Sequence, residues 1–176
     1  FVKLPFRFHG DMEFAPDGRL FIIEQYTGKI RLWKNGALLS APFATVSPVY
    51  TGHNETGLIG LCVDPNFATN GYVYVLCTQS ASVQRVLRYT ASGDTGVNPA
   101  VIIDNLPTQG LNHDGGGIGF GTDGKLYVSI GDTGPGMEAL SQSLGSKRGK
   151  LLRYNADGSV PTDNPFSATS PVFCRG

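Results

Sequence analysis

One histidine sits where chemistry could be done. His113 falls between Asn112 and Asp114, ahead of three consecutive glycines, Gly115 to Gly117, and an apolar run opened by Ile118. An imidazole serves as a general base near neutral pH when a carboxylate fixes its tautomer and supports its cation. Asp132, in the stretch SIGDTG (129–134), offers that carboxylate. If 118–123 and 124–130 form a hairpin, the chain returns to the end where His113 lies, and the two side chains become neighbours. The plainer alternative makes His113 a polar loop end with one hydrogen bond, the glycines serving a tight turn. Glu55 holds the matching place before the apolar run GLIGLCV (57–63) and should open on the same end. His53 beside it reads as a solvated loop residue, and His9 as a surface residue.

Positioning those groups falls to a repeat of roughly fifty residues. Three segments share one grammar: MEFAPDGRLFIIEQYTGKIRLWKNG (12–36), LCVDPNFATNGYVYVLCTQSASVQRVLRYTASG (61–93), and IGFGTDGKLYVSIGDTG (118–134) resumed by GKLLRYNADG (149–158). Each reads as an apolar strand, a turn on Asp or Asn with Gly, an aromatic and β-branched strand, and a third strand ending in Gly. The turn glycines Gly18, Gly71 and Gly124 recur at equal spacing, and Asp-Gly or Asn-Gly supplies the positive φ of a tight hairpin. Helical periodicity is weak, and 137–148 is the best stretch for a short helical or irregular excursion. A unit of this length with three to four strands matches a β-propeller blade. The expected architecture is all-β: blade 1 over about 8–40, blade 2 over about 55–105, blade 3 over about 112–160, with 161–176 leading into a next blade. Propellers close with about four to eight blades, so three are expected to belong to a larger ring, completed in the same or an associated chain.

Composition narrows the function classes. Fourteen basic and fourteen acidic side chains cancel, and no basic cluster interleaves with aromatics, so nucleic acid and anionic membranes are not expected partners. No run approaches the ~18 apolar residues of a membrane span. The chain opens on Phe1 rather than Met, which suggests a processed or trimmed product. With 24 glycines, 11 prolines and 16% charged residues it reads as turn-rich β protein. Cys62, Cys77 and Cys174 have neither CxxC nor zinc-knuckle spacing, and the first two are expected as buried core thiols. GFGTDGKL (119–126) falls short of a phosphate loop, because Leu126 stands where a hydroxyl is required and a strand follows rather than a helix. Asn54-Glu55-Thr56 fits the N-glycosylation sequon, a common chance match.

In order along the chain, FAPDGRLFIIEQYTGKIRL (14–32), GLIGLCVDPNFATNGYVYV (57–75), NHDGGGIGFGTDGKLYVSIGD (112–132) and GKLLRYNADGSVPTDNPF (149–166) resemble motifs of the glucose/sorbosone dehydrogenase family. The resemblance implies a six-bladed propeller that oxidises the anomeric hydroxyl of aldoses with pyrroloquinoline quinone held on calcium, electrons leaving to an external acceptor. It implies a periplasmic or secreted location, with His113 as general base, Asp132 as its orienter, and Glu55 and Asn112 at polar cofactor-pocket positions. The family's calcium ligands and quinone-clamping arginine would fall beyond Gly176. Two departures stand out: Gly117 replaces a residue often Arg, and Val63-Asp64-Pro65 replaces Phe-His-Pro. The resemblance also admits a non-catalytic propeller of the Hedgehog-interacting type, binding a protein or glycan, and more distantly a metal-dependent lactonase.

Overall fold

Short β-prone runs punctuated by glycine turns fold into three successive antiparallel sheets in the computed structural model, which describes residues 9–176. The first contains β1 (His9–Phe14), β2 (Leu20–Glu24), β3 (Lys29–Lys34) and β4 (Ala37–Leu38), with β5 (Ala44–Thr45) also pairing with β3. The second runs β6 (Leu58–Val63), β7 (Tyr72–Ser80), β8 (Val83–Ser92) and β9 (Thr95–Pro107). The third runs β10 (Gly115–Phe120), β11 (Leu126–Ile130), β12 (Lys150–Tyr154) and β13 (Val172–Arg175). In each sheet the strands neighbour one another in chain order, so these are the meandering blades of a β-propeller. Among the described residues no helix is long and apolar enough to cross a membrane.

The repeating glycines occupy the conformation their spacing suggests: φ is 85° at Gly18, 65° at Gly71 and 71° at Gly124. At Gly71 the turn is larger than a hairpin, since Phe67–Asn70 forms one helical turn, α1, that the glycine closes. Residues 137–148 hold a 3-10 turn, Glu138–Gln142, within an irregular connection. The third blade ends later than the sequence suggested. Its outer strand β13 lies inside 161–176, the stretch expected to lead into another blade. The cause is a folded-back loop: the Arg153 guanidinium grips both oxygens of Asp163 at 2.8 and 3.1 Å and Asn164 Oδ1 at 2.9 Å. Asn164 Nδ2 in turn donates to the carbonyls of Arg153 and Ser170, delivering Val172 to β12.

Two hydrophobic layers lie between the blades. Phe21, Ile23, Ile30 and Leu32 of blade 1 meet Leu61, Val63, Val73 and Val75 of blade 2, with Phe21 edge-on to Phe43 and Phe67 at 5.0 and 5.9 Å. Tyr74, Leu76, Val86 and Ile103 on the other side of blade 2 meet Leu126, Val128, Ile130 and Leu152 of blade 3. Alternate residues of β7 thus enter different cores, and burial on both faces explains why it reads as an unbroken apolar run. Cys62 and Cys77 are buried in these layers as free thiols and Cys174 is exposed; desolvation pushes Cys77 up to about 12.

The inner strands β1, β6 and β10 lie side by side. Blade 1 answers the edge donors of β6 with side chains: Asp11 Oδ2 accepts Leu61 N–H at 3.1 Å and Glu13 Oε2 accepts Val63 N–H at 2.9 Å. Between β6 and β10 the backbones approach so closely that a Cβ at Gly60 would strike the Gly116 carbonyl oxygen. Gly60→Ala is therefore expected to cost about 1–3 kcal/mol in denaturant unfolding, whereas Gly119→Ala, with open space around it, should stay within about 0.5 kcal/mol.

A second test concerns the loop that delivers β13. Hydrogen bonding from Arg153 holds Asp163 below the usual carboxylate range; Asp123, although desolvation opposes it, is also held low by the Lys125 N–H and Arg153. Depressed carboxylate values contribute stability above the unfolded Asp value of about 3.9 and lose it as pH falls through the folded values. Arg153→Leu should lower Tm at pH 7, with the gap to the parent protein narrowing below about pH 4.

Candidate functional site

The turn between β2 and β3, the segment before β6, the segment before β10 and the connection after β11 meet at one end of the sheets. Gln25 Nε2 donates to the carbonyls of Asn54 and Thr56 at 2.8 and 3.0 Å, and the Tyr26 hydroxyl donates to the Asn54 carbonyl at 3.1 Å. Glu55 then reaches the third blade, where its Oε2 accepts the His113 backbone N–H at 2.6 Å. His113 Nδ1 lies 2.9 Å from Asp132 Oδ1. The groups therefore join in a line running from the first blade to the third.

His113 is the centre of this arrangement. Its backbone adopts φ 61°, uncommon for a residue with a side chain. Three contacts hold it there: Glu55 on its N–H, Thr133 N–H on its carbonyl at 3.0 Å, and Asp132 on its ring. Thr133 is itself at φ 71° and wholly buried, a second strained residue beside the first. The glycines make room. A Cβ at Gly131 would overlap the His113 carbonyl, and one at Gly115 would sit 2.6 Å from the Ser129 carbonyl. Gly115 and Gly116, at φ 87° and 131°, let β10 begin against β11.

The side chain of His113 is 55% exposed and that of Asp132 21%. Asp132 Oδ1 also accepts the Gly134 N–H at 3.1 Å. That bond first, and His113 second, hold the Asp132 carboxyl below the usual carboxylate range despite some desolvation. An ionised Asp132 assigns the ring proton to Nδ1 and leaves Nε2 as the basic nitrogen.

Of the other sequence candidates, Asn112 is half-buried and its Oδ1 lies near Gly134. His53 is half-buried, and its backbone N–H and carbonyl both engage the Thr56 hydroxyl at 3.1 and 2.7 Å. Thr56 of the sequon is thereby buried and committed within the fold. His9 opens β1, and its side chain lies outside the described residues. Asp64, standing where the resemblance has His, accepts the Asn66 N–H at 2.9 Å and the Tyr74 hydroxyl at 3.2 Å, so the departure is a structural turn anchor. At Gly117 the missing side chain leaves space to Ser129, whose Oγ accepts the Gly117 N–H at 2.9 Å. Sequence reasoning passed over Thr133, Gln25 and Asp114. For Asp114 a signal existed, an acid directly after the histidine and before glycines.

A propeller end with a paired histidine and aspartate on adjoining strand termini is the class of site these residues define. The family model described as Glucose / Sorbosone dehydrogenase matches residues 6–176, and the chain belongs to that family. It is 29% identical to quinoprotein glucose dehydrogenase B of Acinetobacter calcoaceticus, over 86% of this chain and 37% of that protein. It is 30% identical to Hedgehog-interacting protein of Mus musculus, over 90% of this chain and 27% of that protein. The PQQ-bound aldose sugar dehydrogenase of Streptomyces coelicolor superposes with a TM-score of 0.80 at 28% identity, covering 93% of this chain and 49% of that one. The chain thus spans less than half the length of these relatives.

The inter-blade bond from Glu55 can be tested directly. A hydrogen bond to a charged group contributes about 1.5–3 kcal/mol, so Glu55→Ala should speed hydrogen exchange at the His113 amide by roughly ten- to a hundredfold, read by NMR.

Proposed function

We propose that this chain carries the base-bearing part of a sugar dehydrogenase that oxidises the C1 hydroxyl of an aldose to the lactone, hydride passing to pyrroloquinoline quinone. The observation that carries the reading is the 2.9 Å contact of His113 Nδ1 with Asp132 Oδ1 under a half-exposed imidazole. Nε2 of His113 takes the hydroxyl proton of C1, and Asp132 supports the imidazolium that results. Glu55 and Thr133 fix the backbone of His113, so only rotation about its side-chain bonds can part the ring from Asp132. Glu55 and Asn112 are assigned to the polar wall of the cofactor pocket. When bound, the quinone supplies the hydride acceptor, and an external acceptor then removes the electrons. The names of the quinoprotein and PQQ-bound relatives support this choice of cofactor.

The open edge of His113 fits the base side of such a site. No calcium ligand is assigned among these residues: no group of three or more His, Cys, Asp or Glu converges among the described ones, the resemblance puts the calcium ligands beyond Gly176, and no step here is routed through a metal. The proposal places the remaining blades of a six-bladed ring outside these residues and the protein in the periplasm or secreted.

A second reading has one observation in its favour. Gly117 presents no side chain where the resemblance often has Arg, which suits a propeller that binds a partner without chemistry, as the likeness to Hedgehog-interacting protein allows. Dye reduction by an aldose panel, in the intact protein supplied with quinone and calcium, separates the two. The dehydrogenase reading expects reduction that His113→Ala lowers by roughly 10²–10⁴-fold, with Asp132→Asn losing kcat more than KM. No reduction with any aldose would sink it and favour the binding reading.

A further inference from the structure

We propose that Asp114 is a positioning residue for His113, its buried carboxyl and carbonyl pinning to blade 2 the strained turn that carries the imidazole. The inference rests on the reading of His113 as the base.

Asp114 is 0% exposed, although it adjoins the half-exposed imidazole of His113. Its Oδ1 accepts the Thr108 hydroxyl at 2.6 Å. The same hydroxyl accepts the Gly110 N–H at 2.7 Å, which folds the segment before β10 around the carboxyl. The Asp114 carbonyl accepts Gln84 Nε2 at 3.2 Å and Gly131 N–H at 3.3 Å. One residue is thereby tied to β8, to the β9–β10 connection and to the end of β11. Gln84 is itself wholly buried, directly across the sheet from buried Thr78.

These ties matter because nothing local holds the turn. His113 at φ 61° is followed by Gly115 and Gly116 at 87° and 131°, a run that glycine leaves free to rearrange. Glu55 fixes the peptide before His113 and the Thr133 N–H the peptide after it, while Asp114 clamps the residue that follows to blade 2. With both peptides fixed, the Cα–Cβ bond can point only towards Asp132. Losing the Asp114 carboxyl loosens the residue after His113, leaves the Thr133 bond alone to hold ψ of His113, and lets the ring swing into solvent.

The chemistry of the anchor is also specified. Asp114 Oδ2 and Gln84 Oε1 are both buried without a partner among the described residues, and the Gln84 amide lies against Asp114. Burial pushes Asp114 upward, helped by Glu55 and opposed by Thr108, Gln84 and His53. The carboxyl's partner is the Thr108 hydroxyl, which an amide oxygen can also accept, so an amide should serve in its place. Asp114→Asn keeps an oxygen for the Thr108 hydroxyl.

The test compares Asp114→Ala with Asp114→Asn in the intact protein, with 15N-labelled histidine and the His113→Ala spectrum as assignment. In Asp114→Ala the Nδ1-protonated pattern of His113 should average out, and kcat for an aldose should fall about a hundredfold with KM changed less than about twofold. Asp114→Asn should restore both. An unchanged His113 spectrum in Asp114→Ala, or an Asp114→Asn as defective as Asp114→Ala, would overturn the proposal. The spectrum decides the matter even if the parent protein oxidises no aldose, so failure of the dehydrogenase reading is distinguishable. Should Asp114→Ala not fold, Thr108→Val removes the same donor and is expected to mobilise the His113 ring; an unchanged ring would count against the anchor.

Discussion

Glu55 accepting the backbone N–H of His113 turns neighbouring blades into a site. That bond spans two sheets and depends on how closely β6 and β10 approach, since Glu55 and His113 each sit just ahead of an inner strand. The approach depends in turn on glycines: Gly60 and Gly116 leave the two backbones nothing to push apart. On the other side of β6, acidic side chains do comparable work, with Asp11 and Glu13 closing the exposed donors of Leu61 and Val63. Inner strands that share no backbone ladder are thus joined by side-chain acceptors on one flank and bare backbone contact on the other.

On this frame the end of the third blade carries two strained residues, His113 and Thr133, in direct hydrogen-bonded contact. Left-handed backbone in residues with side chains costs of order 1–3 kcal/mol each and persists only where the surroundings over-determine it. Here Glu55, Asp132, Gln109 and the Asp114 ties supply that determination from several directions. The consequence is an imidazole whose backbone is immobilised while its ring edge faces outward. A base that must meet a diffusing substrate needs that combination, because ordering it on binding would consume part of the binding energy.

Much of this was legible in the sequence. The equal spacing of Gly18, Gly71 and Gly124 marks three turns of one repeat because only a few residue types tolerate positive φ. The hairpin expected from 118–123 and 124–130 returns Asp132 to the end where His113 lies, so the sequence already suggested the pair. The fate of 161–176 was hidden. Its prolines, Asn164 and serines read as a linker, and β13 forms because Arg153, thirty positions along from the Asp123 it also grips, folds the loop back. For Asp114 the position beside the histidine was visible and its burial was not. A carboxylate beside histidine in a glycine loop looks solvated, and only the packing of blade 2 against blade 3 reveals it as buried. Local patterns announce turns and strands, whereas contacts between sheets are written in no single stretch.

β7 has a consequence for how the middle blade finds its place. Val73, Val75 and Cys77 fill one core while Tyr74 and Leu76 fill the other. A slip of one residue against β6 or β8 exchanges the two sets. In most half-buried strands such a slip would put polar groups inside and be rejected on polarity; in β7 both sets are apolar, and polarity says nothing. Rejection must come from shape: Tyr74 would have to enter the space shaped for Val73 or Val75, and its hydroxyl would lose Asp64 and the Ala156 carbonyl. Alignment of this strand is therefore proofread by volume and by one phenol, checked against both neighbours at once.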